Sequence, residues 1–257
     1  LKNWGVSGIK IDFMDRADQW IVNFYETVAR ESAKRNLLVD FHGAFKPNGL
    51  HRVYPNVISY ESVQGLEYCK WSKNVTPEHN LSIPFIRMVC GPMDYTPGAM
   101  RNYQSKEFQP NFSRPGSQGT RCHQLALFIV LETGIQMFAD SPSNYEREKE
   151  STGFLKSVPV TWDEIKVLEA RVGEYLVLAR RKGDTWFIGA LNNNIEREFT
   201  IHLSFLSEGW KNAVIMKDGI NAGHFAEDYK RQEIKVNGQS NLIIKMESGG
   251  GFAARIE

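Results

Sequence analysis

The stretch Trp4-Gly5-Val6-Ser7-Gly8-Ile9-Lys10-Ile11-Asp12-Phe13 decides the reading of the fold. Gly8–Phe13 is short, apolar and closes on an acid, the pattern of a buried strand. Ala17–Arg35 follows with Trp20, Ile21, Phe24, Tyr25, Val28 and Ala29 at helical spacing. Glu26, Arg30, Lys34 and Arg35 fall off that stripe, so the segment predicts an amphipathic helix. Asp18, just before the stripe, reads as its cap. Leu37–Phe41 is the next strand, with His42-Gly43 behind it. Val57–Tyr60 is a third strand, closing on Glu61, and Val89–Asp94 a weaker fourth. His123–Leu131 reads as a buried helix and Ile135–Ala139 as a strand closing on Asp140. Strands alternating with helices, with polar residues at the strand ends, predict four or five parallel β/α units. A closed (β/α)8 barrel takes about 250 residues, so half a barrel is the better reading.

Near residue 170 the period changes to two. Tyr175–Arg181, Thr185–Leu191, Arg197–Phe205, Ala213–Lys217, Gln232–Val236, Leu242–Met246 and Gly251–Ile256 are short strands. Lys182-Gly183-Asp184, Asn192-Asn193-Asn194, Asp218-Gly219 and Asn237-Gly238 supply turns between them. This pattern predicts an antiparallel β-sandwich. The expected organisation is a partial (β/α)8 barrel over 1–170 and a C-terminal β-sandwich over 171–257.

The chain has 257 residues, with 31 Lys+Arg against 30 Asp+Glu and a net charge of +1. That balance offers no electrostatic reason for a nucleic-acid or membrane partner. Hydrophobic residues at 42% and charged residues at 24% exclude a largely disordered chain. No run reaches the ~18 apolar residues of a membrane-spanning helix. Cys69, Cys90 and Cys122 show no Cys-x-x-Cys spacing, which argues against a disulfide framework or a zinc site and for buried, inert thiols. The chain opens directly on a core strand, which suggests a piece of a longer protein.

In parallel β/α folds, functional side chains gather at the carboxyl ends of strands. Asp12, Asp40, Glu61 and Asp140 fall there, with Asp15 and Arg16 beyond Asp12, His42 beyond Asp40, Glu67 beyond Glu61, and Asp94 on a later loop. A single acid at a strand end is commonly a helix cap or a loop acceptor. Several together suit cleavage of a glycosidic bond, where one acid protonates the leaving oxygen and the other attacks carbon or activates water. No GxGxxG, GxxxxGK[ST] or Gly-x-Ser-x-Gly motif competes with that reading. Lys10 shares a strand face with Asp12 by the period of two, either to contact sugar hydroxyls or to pair with an acid. Trp71 suits either a sugar face or the core.

Several blocks in order carry a resemblance. They are Gly8-Ile9-Lys10-Ile11-Asp12-Phe13, Leu38 through Pro47 (LVDFHGAFKP), Tyr54-Pro55-Asn56-Val57, Glu61 through Glu67 (ESVQGLE), Pro84 through Met88 (PFIRM) and Gly91 through Gly98 (GPMDYTPG). Together they resemble glycoside hydrolase family 97, α-glucosidases and α-galactosidases of gut-type bacteria. The resemblance implies an N-terminal sandwich, a (β/α)8 barrel and a C-terminal sandwich, of which this chain would hold the second barrel half and the last sandwich.

The inverting branch of the family has a general-base Glu at the position of Gly43, where no side chain is present. The retaining branch has an Asp nucleophile on the strand matching Gly8–Phe13, at Asp12. Glu67 matches the family's acid. The resemblance therefore implies a retaining α-glycosidase, most of all an α-galactosidase, with Asp12 as nucleophile and Glu67 as acid/base. An α-glucosidase and a non-catalytic truncated piece are the alternatives. Glu61 matches a calcium ligand, with Glu67 close to the same ion; the other reading of Glu61 pairs it with Arg52 or Arg87. His42, Arg87 and Asp94 are further substrate-contact candidates beside Lys10. The implied partners are an oligosaccharide or α-galactoside, and a second copy or the N-terminal half. The implied location is periplasmic or secreted.

Overall fold

The computed structural model describes residues 1–257. Strand β1 (Gly8–Ile11), helix α1 (Gln19–Ala33) and strand β2 (Leu38–Phe41) form the first β-α-β unit. α1 starts where Asp18 accepts a hydrogen bond from the Ile21 amide at 3.2 Å, the predicted cap. It buries Ile21, Tyr25, Ala29 and Ser32, one narrow stripe at helical spacing. Trp20, predicted on that stripe, is half-exposed and stacks on Phe24. The short helix α2 (Leu50–Val53) leads into β3 (Val57–Tyr60).

The three strands pair in parallel in the order β1-β2-β3, with Gly8 opposite Leu38 and Phe41 opposite Tyr60. Tyr25, Phe41, Tyr60 and Val39 fill the space between α1 and this sheet. The expected strand at Val89–Asp94 is reduced to one parallel bridge, Tyr60 to Met93. Arg87–Cys90 is a 3-10 turn instead, and Gly91-Pro92 leaves little chain to pair. Ile135–Ala139 is not a strand: it finds no ladder partner, and Ala139 donates only to the Pro97 carbonyl.

Helix α3 (Pro77–Ser82) is capped by Thr76 and the two-residue strands β4 (Asn102–Tyr103) and β5 (Ser117–Gln118) pair in parallel. Helix α4 (Arg121–Val130) is buried at every residue, and α5 (Pro142–Arg147) and α6 (Lys149–Ser157) follow.

The antiparallel region begins at Glu164. It comprises β6 (Glu164–Arg171), β7 (Tyr175–Lys182), β8 (Thr185–Asn192), β9 (Arg197–His202), β10 (Lys211–Asp218), β11 (Tyr229–Val236), β12 (Asn241–Met246) and β13 (Gly251–Ile256). Six strands order as β11-β10-β13-β8-β7-β6, and β9 pairs with β12 in a separate ribbon. Val177, Ala179 and Ile188 of the large sheet share a core with Ile201, Leu242 and Ile244 of the ribbon. The alternate residues Leu176, Leu178 and Phe187 share another core with Leu125 and Ile129 of α4. The large sheet is thus covered on both faces, which explains why β7 and β8 are nearly continuous apolar runs. No helix is long and apolar enough to cross a membrane.

Candidate active site

The carboxyl ends of β1, β2 and β3 open onto one cavity of about 270 Å³. Lys10 lies on β1 with Asp12 just past its end, His42 and Glu61 directly follow β2 and β3, and Glu67 comes from the 3-10 turn Leu66–Lys70. Asp94 arrives on the segment bridged to β3, where its amide donates to the Tyr60 carbonyl at 3.0 Å. Backbone with positive φ concentrates beside these residues, at Phe13, Asp15, Ser62 and Thr96. Such conformations oppose side-chain sterics and persist where surrounding structure imposes them.

Asp94 is the electrostatic centre. Its side chain is fully buried and accepts from Lys10 Nζ at 2.6 Å, from His42 Nδ1 at 3.0 Å and from Thr96 Oγ1 at 3.1 Å. Burial works to raise its pKa, but the His42 and Lys10 contacts win and hold it well below the usual carboxylate range. Asp40 shows the opposite. It is buried, Lys10 Nζ stands 4.0 Å away, and neither of its carboxyl oxygens has a hydrogen-bond partner. Burial, reinforced by the Asp94 charge, pushes its pKa up. Burial pulls on the Lys10 ammonium, yet Asp94, Asp40 and Asp12 together raise its pKa.

His42 joins this group to a second one. With Nδ1 given to Asp94, its Nε2 lies 3.3 Å from Glu61 and 3.9 Å from Glu67. Burial disfavours the imidazolium, but Asp94 and Glu61 outweigh it and raise the pKa. Glu61 also accepts from the Gly43 amide at 2.8 Å. Burial raises its pKa despite His42 and that amide. His42, Glu61 and Glu67 bring three ligand atoms within 4.8 Å of one another. Two carboxylates and an imidazole nitrogen meet there, a donor set whose chemistry fits a cation.

Asp12 accepts from the Phe13 amide at 2.7 Å. Gly43 lies against it: a Cβ there would start 3.2 Å from Asp12 Oδ1, and Gly43 has φ +57°. A side chain at this position would be both strained and pressed into Asp12.

Of the predicted site residues, Lys10, Asp12, His42, Glu61, Glu67 and Asp94 share the cavity. Arg87 does not. Its guanidinium is buried and donates to the carbonyls of Tyr60, Glu61, Ser62, Gly91 and Pro92, which leaves it as a clamp on the backbone. Glu61 therefore meets Arg87 through its main chain only, and its carboxylate partners are His42 and Gly43. Sequence reasoning missed Lys70, Tyr95, Thr96 and Gly116, which also line the cavity. Lys70 stands three residues after Glu67 on one turn, a spacing that places both on one side and could have indicated it. Asp140, read as a strand end, lines the cavity from a loop and accepts from the Met100 amide at 2.8 Å.

Residues 1–63 match the family model described as "Glycoside hydrolase 97", and residues 161–257 the one described as "Glycosyl-hydrolase 97 C-terminal, oligomerisation". The chain belongs to glycoside hydrolase family 97. It is 46% identical over 98% of its length to a retaining alpha-galactosidase of Bacteroides thetaiotaomicron, and covers 38% of that protein. It is 35% identical over 99% of its length to a probable retaining alpha-galactosidase of Streptomyces bingchenggensis, and covers 37% of it. The chain thus spans less than two-fifths of these relatives. A family 97 enzyme from Pseudoalteromonas sp. strain K8, solved with panose, superposes with a TM-score of 0.84 at 34% identity, over 93% of this chain and 37% of that one. A beta-arabinopyranosidase superposes with a TM-score of 0.85 at 27% identity, over 99% of this chain and 40% of that one.

Proposed function

We propose that this chain carries the catalytic cavity of a retaining α-glycoside hydrolase acting on α-galactosides. The observation that supports this most is the joint placement of Asp12 and Glu67 on one cavity, with side-chain-free Gly43 against Asp12. In this reading Glu67 protonates the glycosidic oxygen while Asp12 attacks the anomeric carbon, giving a β-linked glycosyl-enzyme. Glu67 then takes a proton from water, which releases the sugar with α configuration. Retention calls for a carboxyl separation of about 5–5.5 Å, against about 6.5–9.5 Å for inversion. Lys10, His42 and Asp94 form a rigid polar wall that binds sugar hydroxyls. Galactose preference is favoured by the two relatives named alpha-galactosidase.

In this reading 1–170 is the second half of a (β/α)8 barrel and 171–257 a C-terminal β-sandwich. β1 lies at the edge of its sheet, which suits pairing with a further barrel strand or a second copy. Calcium is the cation we assign to Glu61 and Glu67, since it prefers oxygen ligands. When bound, it would offset the negative charge beside the leaving group and polarise that oxygen. We place the protein in the periplasm or outside the cell, on the family resemblance.

The test is hydrolysis of nitrophenyl α-galactoside and α-glucoside, with the first-formed anomer read by NMR. α-Galactose as first product is expected. β-Galactose would refute retention, and preference for the glucoside would favour the α-glucosidase reading, for which the panose-bound relative speaks. Turnover that appears only after extension of the chain by preceding sequence would mark it as a non-catalytic piece by itself.

A further inference from the structure

A buried polar chain runs from the cavity wall to the antiparallel sheet. Tyr95, which lines the cavity, donates its hydroxyl to Asn80 Oδ1. Asn80 Nδ2 lies 3.2 Å from His123 Nε2, and His123 Nδ1 lies 3.1 Å from the Gly250 carbonyl. Asn80 and His123 are fully buried. The donors dictate the direction of every link. The Gly250 carbonyl can only accept, so Nδ1 carries the proton and Nε2 accepts from the Asn80 amide. Asn80 Oδ1 is then left to accept from Tyr95. Burial holds His123 neutral, its pKa down at about 4, and pushes Tyr95 well above its usual value.

Both ends are anchored. At the cavity, the Tyr95 carbonyl accepts from the Leu66 amide at 3.1 Å. Gly65 packs so closely that a Cβ would lie 2.7 Å from the same oxygen. Glu67 is the next residue on that turn. At the sheet, Asp218 of β10 accepts from Thr120 Oγ1 at 2.6 Å and from the amides of Glu247 and Gly251 at 3.0 and 3.2 Å. The Thr120 amide donates to the Gly249 carbonyl at 3.0 Å.

We propose that Tyr95, Asn80 and His123 form a positioning relay through which the antiparallel sheet fixes the Gly65–Glu67 segment and aims the Glu67 carboxyl into the cavity. The relay deepens the reading of Glu67 as acid/base and rests on it. A buried chain whose links run in one direction favours one geometry, because a shift at any link strands a polar group away from water.

The test uses this chain with Tyr95→Phe and Asn80→Asp, read by amide hydrogen exchange and imidazole ¹⁵N NMR. In the unaltered protein His123 is the neutral Nδ1–H tautomer at pH 7. Tyr95→Phe deletes one oxygen and should speed exchange at Leu66 about tenfold, the equivalent of one hydrogen bond, while the amides of α4 stay protected. Asn80→Asp replaces the donor by a carboxylate and should turn His123 into an imidazolium at pH 7. The charged groups facing it otherwise are Glu78 of α3 and Asp218 of β10 beyond Thr120. Unchanged Leu66 exchange in Tyr95→Phe, or an Nε2–H tautomer in the unaltered protein, would overturn the relay. If Asn80→Asp does not fold, Tyr95→Phe decides alone. The Glu67 assignment fails separately: Glu67→Gln would then leave turnover unchanged while exchange and tautomer behave as expected.

Discussion

Asp40→Asn should make the protein more stable above pH 7 and leave it nearly unchanged near pH 4, with the gain growing between the two. Asp40 is 4% exposed, and neither carboxyl oxygen receives a hydrogen bond. Each unsatisfied buried acceptor costs about 1–3 kcal/mol. Lys10 Nζ, 4.0 Å away, offsets part of this, on the order of 1–4 kcal/mol for an effective dielectric between 80 and 20. The ionised form therefore carries a net penalty of about 2 kcal/mol. The sign follows from linkage. Burial raises the folded pKa of Asp40, so between the ordinary carboxylate pKa and the raised one the folded state holds more protons than the unfolded state. Stability therefore falls as pH rises through that window. Asn is the neutral isostere and removes the slope. Asp218, raised by burial to about 7, and His42, also raised, add slopes of the same sign, and both are common to the two proteins. Urea unfolding at about pH 4 and pH 8 isolates the difference. With a slope of about 3 kcal/mol/M, the variant's midpoint should exceed the wild type's by roughly 0.7 M at pH 8 and nearly match it at about pH 4. A variant that is less stable at both pH values by the same amount would refute the reasoning and make Asp40 a partnered, ionised group.

Glu67→Gln should depress kcat/KM for substrates with poor leaving groups by about 10²–10⁴-fold while sparing kcat/KM for activated aryl leaving groups, whose departure needs no proton, and should lower kcat for both because the base of the second step is lost; steady-state kinetics across a leaving-group series show it. Arg87→Ala should destabilise by about 3 kcal/mol or more, because five backbone carbonyls lose their donor at once, and a thermal melt reads the effect. Gly43→Glu should destabilise by about 1–2 kcal/mol, since the position has φ +57°, and should not turn the stereochemistry to inversion; denaturation midpoints and product anomer check both halves.

Much of the site was legible because chemistry follows strand ends. Asp12, His42 and Glu61 each close a short apolar run that reads as a strand, and parallel pairing of those strands brings their ends to one cavity. Glu67 and Asp94 lie beyond strands, and the family-like blocks placed them. Arg87 was misplaced because its block gives no hint of where a guanidinium spends its donors. Only the structure shows the two loops, Tyr60–Ser62 and Gly91-Pro92, whose carbonyls converge on it. β6 escaped notice because Glu164-Ile165-Lys166-Val167-Leu168-Glu169-Ala170-Arg171 is rich in good helix formers; pairing with β7 overrides that preference. Ile135–Ala139 failed the other way. Its apolar composition suits a strand, but a strand needs a neighbour to satisfy its backbone, and none lies alongside.

The placement of α4 argues against treating the antiparallel region as a separable appendage. Every residue of α4 is buried, and its apolar side chains interlock with Leu176, Leu178, Phe187 and Ala253 of the six-stranded sheet. Tyr95 and Leu66, which line the cavity, belong to that same core. Alternation along β7 sends Val177 and Ala179 into the opposite core, so a single strand contributes to both. A hydrophobic core transmits displacement because it is close-packed and cannot relax around one absent wall. The sheet therefore acts as the back wall of the cavity segment: whatever disturbs its packing on α4 disturbs the ground on which the Glu67 turn rests.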